Sequence, residues 1–368
     1  MLQTLAMAGP FSLPNPAAMQ PGRVVAVEAD MYAANDIAPL SELDGEWYRY
    51  VNCCRGTNQA WLDARVEVQA GLGNWRLGLL HREQAMAHAN DRTVEIARDI
   101  EMDVPGALAQ QADIDYRSAY FAANGVRLAF ADQLPWGNGW RWGVGFSLLH
   151  GTRLRLDAGH GTAKDAGNNQ IRFDGYRVTT DSHFRIGDPT RFNPYVPNEQ
   201  VDGGGYSSDA GVSWQENGSY LGLSVTDMLG RMAWHQVPNS YQAGSILYDQ
   251  DGNFIGAADG SAAITGYDSR ETVHFDLPRK WLAEYRQRLG NWQLGASYGY
   301  VDGLRLPGLL AGYMFNETSG IQLAYDQRFD SWRIGARWHA IAASLQTDNR
   351  DFAKARAVGA SLVLSVPF

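Results

Sequence analysis

The residues of this chain best placed to do chemistry are its arginines. Arg65 stands two positions before Glu67, Arg76 six before Arg82, and Arg153 two before Arg155 and twelve after Arg141. Glu284, Arg286 and Arg288 are spaced by two, and Arg333 and Arg337 by four. A period of two is the side-chain repeat of a β-strand, so each set shares one strand face. A guanidinium keeps its charge and grips oxyanions through two parallel N–H donors. A ring of them lining a pore would draw phosphates or acidic sugars. Paired with Asp63, Glu67, Asp115 and Glu284, the same side chains would instead brace a filled interior.

The elements that position these residues are legible from the opposite strand face. Trp75, Leu77 and Leu79 alternate with Arg76; Trp140, Trp142, Val144, Phe146 and Leu148 alternate with Arg141 and Ser147. Trp281, Ala283, Tyr285 and Leu289 alternate with Glu284, Arg286 and Arg288, and Trp332, Ile334, Ala336 and Trp338 with Arg333, Arg337 and then His339. An apolar face that carries aromatics suits lipid, and a charge on that face would cost about 2–4 kcal/mol at mid-bilayer. The arginines are therefore expected inside.

Short turns precede many of these strands. Gly73-Asn74, Gly137-Asn138-Gly139, Gly290-Asn291 and Asp330-Ser331 each lead into a Trp, and Asn217-Gly218 leads into Ser219-Tyr220. Such residues suit tight hairpins. Turns followed by an aromatic at one height predict a girdle of Trp75, Trp140, Trp292 and Trp332, closed by Phe368, on one side of a membrane.

The last stretch, Ala355 to Phe368, places Val358, Ala360, Leu362, Leu364, Val366 and Phe368 on one face. It resembles the closing strand of bacterial outer-membrane β-barrels, the strand that the insertion machinery reads in that superfamily. Gly222-Leu223-Ser224-Val225-Thr226-Asp227, after Asp209-Ala210-Gly211-Val212-Ser213-Trp214, is similar to a phrase of the long-chain fatty acid transporter superfamily. That likeness spans about 25 residues. It implies a fourteen-stranded barrel, an N-terminal plug and a hydrophobic cargo, whereas the arginine rows imply a polar one.

Composition agrees with a barrel. The chain of 368 residues has 12 Trp, 17 Tyr and 40 Gly, which suits strands, turns and interfacial belts. No apolar run reaches the length of a transmembrane helix, yet a barrel needs lipid-facing residues only at alternate positions. The net charge of −9 argues against nucleic acid as a partner. Cys53 and Cys54 are adjacent and offer neither a disulfide framework nor a zinc site. The Asp-rich Tyr248–Asn253 stretch lacks the full spacing of a calcium loop. His150-Gly151-Thr152 and His160-Gly161-Thr162 are candidates for a lipid hydrolase, without a recognisable serine motif. No cofactor or metal is expected. Residues 1–10 lack the basic and apolar regions of a signal peptide, so a mature chain is expected.

The expectation is an all-β protein of the bacterial outer membrane: a single antiparallel transmembrane barrel of about twelve strands, with fourteen as the alternative. Residues 1–44 form an N-terminal extension, tail or plug, and 45–368 the barrel. The expected strands are 45–54, 60–72, 75–88, 113–133, 140–157, 205–216, 219–229, 277–289, 292–303, 318–329, 332–346 and 355–368. Residues 89–112, 158–204 and 230–276 are expected as outer loops. The expected function is a channel or transporter for anionic or sugar-like solutes. The alternatives are an accessory barrel of a secretion or surface assembly, plugged by its N-terminus and loops, and a barrel-embedded lipid hydrolase. Expected partners are outer-membrane lipid and lipopolysaccharide, the insertion machinery, a small solute and an assembly partner.

Overall fold

The structure, a computed structural model, describes residues 15–43, 45–51, 57–102, 111–135, 137–168, 170–183, 201–249, 254–257 and 265–368. Cys53, Cys54 and 250–253 lie outside them, as do residues 1–14. The strands are β1 (Val24–Asn35), β2 (Thr57–Leu72), β3 (Trp75–Asn90), β4 (Ala112–Gln133), β5 (Trp140–Gly167), β6 (Gln170–Asp181), β7 (Asp202–Glu216), β8 (Ser219–Thr226), β9 (Arg231–Asp249), β10 (Phe254–Ala257), β11 (Thr265–Asp276), β12 (Lys280–Leu289), β13 (Trp292–Val301), β14 (Leu304–Met314), β15 (Ser319–Asp326), β16 (Ser331–Trp338), β17 (Ile341–Thr347) and β18 (Ala357–Pro367). Helix α1 (Asp91–Glu101) follows β3.

All eighteen strands among the described residues belong to one sheet. It closes: β1 lies between β18 and β2, pairing Val24 with Pro367 and with Gly71. From β2 the wall runs through β3, β4, β5, β7, β8 and β12, then in order to β18. Every pairing is antiparallel and no edge remains on this circuit. The expectation of a barrel of about twelve strands, or fourteen, is thereby corrected: the described residues form one sheet of eighteen strands, in which β6, β9, β10 and β11 extend the wall beyond the closing circuit.

The differences have local causes. Residues 45–54 hold a 3-10 turn at Trp47–Tyr50, and the chain enters the wall earlier, at β1. There Glu28 and Asp30 occupy inward positions among alanines, which blurs the apolar alternation. Residues 332–346 are a hairpin, not one strand. Its turn uses His339 at φ 51, a left-handed conformation usually marked by Gly or Asn. The described parts of the expected outer loops 158–204 and 230–276 continue largely as strands, with β5, β6, β9 and β11 paired side by side above the wall.

One turn changes sides. Four of the turns, at 73–74, 137–139, 217–218 and 290–291, share the rim where Phe368 ends the chain. The turn at 327–330 joins ascending β15 to descending β16 and lies on the opposite rim. Stagger explains this. Trp140 pairs with Trp214, then the row runs through Leu221, Tyr285, Ala296 and Leu309 to Tyr325 and Trp332. Tilted strands make such a row climb from one rim to the other. Tight aromatic contacts occur at both levels: Trp75 with Phe130 (4.7 Å) and Trp292 with Tyr313 (5.1 Å) below, Tyr325 with Trp332 (4.8 Å) above.

The outer face is apolar, with Leu77, Leu79, Phe146, Leu148, Trp281, Leu294 and Ile334 exposed between Trp75, Trp292 and Phe368. A closed antiparallel barrel with this surface is a transmembrane barrel of the bacterial outer membrane.

Candidate functional site

The lumen is built in three tiers. In the lowest, the chain start is lodged against the wall. A 3-10 turn at Pro16–Ala18 is capped by Asn15, whose Oδ1 accepts from the Ala17 N–H (3.0 Å). Ser213 Oγ donates to the Ala17 carbonyl (3.3 Å) and Arg141 Nη2 to the Met19 carbonyl (2.5 Å), while Arg76 donates to the Gln20 carbonyl. Gly143 makes the seat possible, because a Cβ there would strike Pro16. Arg76 and Arg141 thus hold a peptide segment, with their donors directed at carbonyls.

The middle tier is a lattice of buried charges. Arg82 grips both carboxylate oxygens of Asp227 at 2.8 Å, and Ser207 Oγ donates to Oδ1 at 2.6 Å. Lys280 bonds Asp63 (2.8 Å) and lies 3.7 Å from Asp227. Arg127 joins Asp209 (3.2 Å) and Glu67 (3.8 Å), and Glu67 also pairs with Arg65. The remaining cavity among Asp63, Arg65, Arg82, Asp209 and Lys280 is about 20 Å³. Such groups stay charged in a low-dielectric interior only because each finds a partner.

Asp227 reaches this position through a break in the wall. β7 pairs with β8 up to Val225 and with β9 from Arg231, so Asp227–Gly230 bulge out of register. Asp227 takes φ 57, unusual for a residue with a Cβ. β11 and β12 are interrupted at the same level, between Asp276 and Lys280.

Above the lattice the inner surface becomes apolar. Leu80, Phe121, Leu149, Leu154, Met232, Trp234, Val237 and Leu277 form one buried cluster, flanked by Val273 and Phe275. Trp234 fits because residue 151 is glycine; a Cβ there would meet the indole. The Trp234 Nε1–H is buried without an acceptor among the described residues. A second buried cluster includes Tyr32, Trp61, Leu282 and Leu304. At the mouth, His88 and Arg117 both reach Asp302 of the β13–β14 turn (2.8 and 3.2 Å).

The other predicted lumen residues fall in different places. Arg286 is buried and pairs with Glu284 (2.8 Å), and Arg333 donates to the Gln346 side chain (2.6 Å). Arg288 and Arg337 turn to backbone at the lower rim, donating to the carbonyls of Gly290 and His339. Arg153 and Arg155 are not in the lumen. A bulge at Thr152, opposite the Ala122/Ala123 step, reverses the strand's facing, so that Leu154 is buried inside and both arginines are exposed outside. The girdle residues Trp75, Trp140, Trp292 and Phe368 are exposed near the lower rim, and Trp332 near the upper one. His150 faces out, 3.9 Å from Asp202, and His160 lies 3.6 Å from Asp115.

Sequence reasoning missed Lys280, Arg127, Asp209 and the role of Asp227. Asp227 closes the transporter-like phrase Gly222–Asp227, but only the bulge reveals that it turns inward.

No family model matches the chain, and no curated protein matches it. Among solved structures it is similar to a deletion mutant of the monoaromatic hydrocarbon channel TodX (11% identity, 96% of this chain and 93% of that one, TM-score 0.49). It is also similar to the Pseudomonas putida toluene transporter TodX (11%, 96% and 92%, TM-score 0.45) and to a Pseudomonas aeruginosa FadL homologue (13%, 95% and 91%, TM-score 0.44). The class of this protein is set by its own closed, lipid-facing barrel.

Proposed function

We propose that this barrel is a conduit for small apolar solutes, held closed by its N-terminal segment and by the Arg82–Asp227–Lys280 lattice. The observation that carries the reading is the buried apolar compartment around Trp234, directly above the lattice and beside the break in the wall. A barrel that only spans a membrane has no need of a buried apolar cluster centred on a tryptophan in its lumen. The unpaired indole N–H would orient a solute carrying one weak acceptor.

The filled lumen by itself favours the second reading, a closed accessory barrel. An anionic or sugar-like cargo loses its basis, because Arg65, Arg82 and Arg286 are already matched by carboxylates, and Arg76, Arg141 and Arg333 by other acceptors. Girdle roles for Trp75, Trp140, Trp292 and Phe368, and lumen roles for the predicted residues other than Arg153 and Arg155, are part of this proposal.

Titration of the folded protein with a neutral apolar fluorophore tests the proposal. Saturable binding that falls at least tenfold in Trp234→Arg supports it. Binding equal in both proteins removes the compartment from any transport path and leaves the accessory barrel.

A further inference from the structure

The bulge at Thr152 has a second effect, on the outside of the barrel. From Trp142 to Arg153 the strand climbs about ten steps of ~3.3 Å, which at the usual ~40° tilt is about 25 Å along the barrel axis, the height of the apolar band. Arg153 and Arg155 therefore emerge on the outer surface at the top of the membrane-embedded face. Below them lie exposed Leu79, Val126 and Leu148. Without the bulge, the strand's alternation would have buried both guanidiniums.

The site around Arg153 is organised. Its guanidinium stacks 5.4 Å above the Tyr120 ring. The Tyr120 hydroxyl donates to Glu83 (3.2 Å), and Glu83 and Asn124 hold His81 (3.2 and 2.8 Å). A hydrogen-bonded row across β3 and β4 thus fixes the platform on which Arg153 lies. Neither Arg153 nor Arg155 forms an ion pair among the described residues, whereas outward-facing Arg177 nearby is paired with Asp157. Two permanent charges with free donors stand at the depth where the outer leaflet carries its anionic groups.

We infer that Arg153 and Arg155 form a binding site for the phosphate of an outer-leaflet glycolipid, with Tyr120 as the aromatic floor and His81 and Asn124 as flanking polar contacts for its sugar. Charge complementarity selects the phosphate, because a guanidinium binds it bidentately. The height selects the glycolipid, because the phosphorylated disaccharide of lipopolysaccharide sits at this boundary of an outer membrane. The exposed leucine and valine row beneath would receive its acyl chains.

The test uses the full-length protein in phosphatidylcholine nanodiscs, titrated with bisphosphorylated lipid A, its dephosphorylated form and phosphatidylglycerol. Bisphosphorylated lipid A is expected to bind at least tenfold more tightly than either. R153Q/R155Q is expected to reduce that preference to less than twofold while keeping the heat-modifiable gel mobility of a folded barrel. Equal binding of dephosphorylated lipid overturns the phosphate site, and equal binding of phosphatidylglycerol overturns the glycolipid. An undiminished preference in the double variant overturns the assignment to these arginines. If the double variant does not fold, Arg155→Gln alone replaces it, with a loss of about threefold expected; unchanged affinity in that variant contradicts the proposal.

Discussion

Arg82 and Asp227 lie 145 residues apart in sequence and meet in the barrel lumen through two parallel hydrogen bonds of 2.8 Å, with both side chains buried. One comes from a regular strand and the other from a bulge. The pair ties the break in the wall after β8 to β3, four strands away around the circuit.

Asp227→Ala should be strongly destabilising, because it leaves Arg82 unpaired and deprives Lys280 of its second carboxylate. Removal of one partner of a buried pair costs about 3–5 kcal/mol. Urea unfolding followed by tryptophan fluorescence measures this. The double variant R82L/D227L should lose less than the sum of the two single variants, since neither charge is then stranded.

Removal of residues 1–21 should open the lower lumen. The wild-type protein is expected to be electrically silent in a planar bilayer, and the truncated protein to conduct. Gly143→Leu should produce part of the same leak without truncation, because its side chain would occupy the place of Pro16. Silence in both variants would mean that the lattice alone seals the barrel.

The two rims should be distinguishable by labelling. With Cys53 and Cys54 replaced by Ser, Asp330→Cys is expected to react with an impermeant maleimide added to intact cells, and Asn74→Cys only after the outer membrane is breached. Equal labelling of both would contradict the crossing of the Trp140–Trp332 row from rim to rim.

Much of the barrel was legible in the sequence, because lipid imposes alternation on the wall. The faces of β2, β3, β12 and the lower half of β5 follow from their Trp and Leu positions. What escaped was hidden by backbone events with weak sequence marks. The Thr152 bulge turned Arg153 and Arg155 outward, the Asp227 bulge turned an acid inward, and His339 made a hairpin turn without glycine. The strand β14 was obscured by Pro307 and Gly308 at its upper part, where pairing with β15 ends. The lattice was unreadable because its partners come from distant strands. Asp63 and Lys280 are 217 residues apart.

The most direct test of the account is solute uptake by cells whose outer membrane carries the protein. A labelled neutral apolar solute should enter several-fold faster than in cells without it. Trp234→Arg should abolish the gain, and uptake of an anionic sugar should be unchanged. Faster uptake of the anionic sugar, or an apolar uptake indifferent to Trp234, would contradict a conduit for apolar solutes.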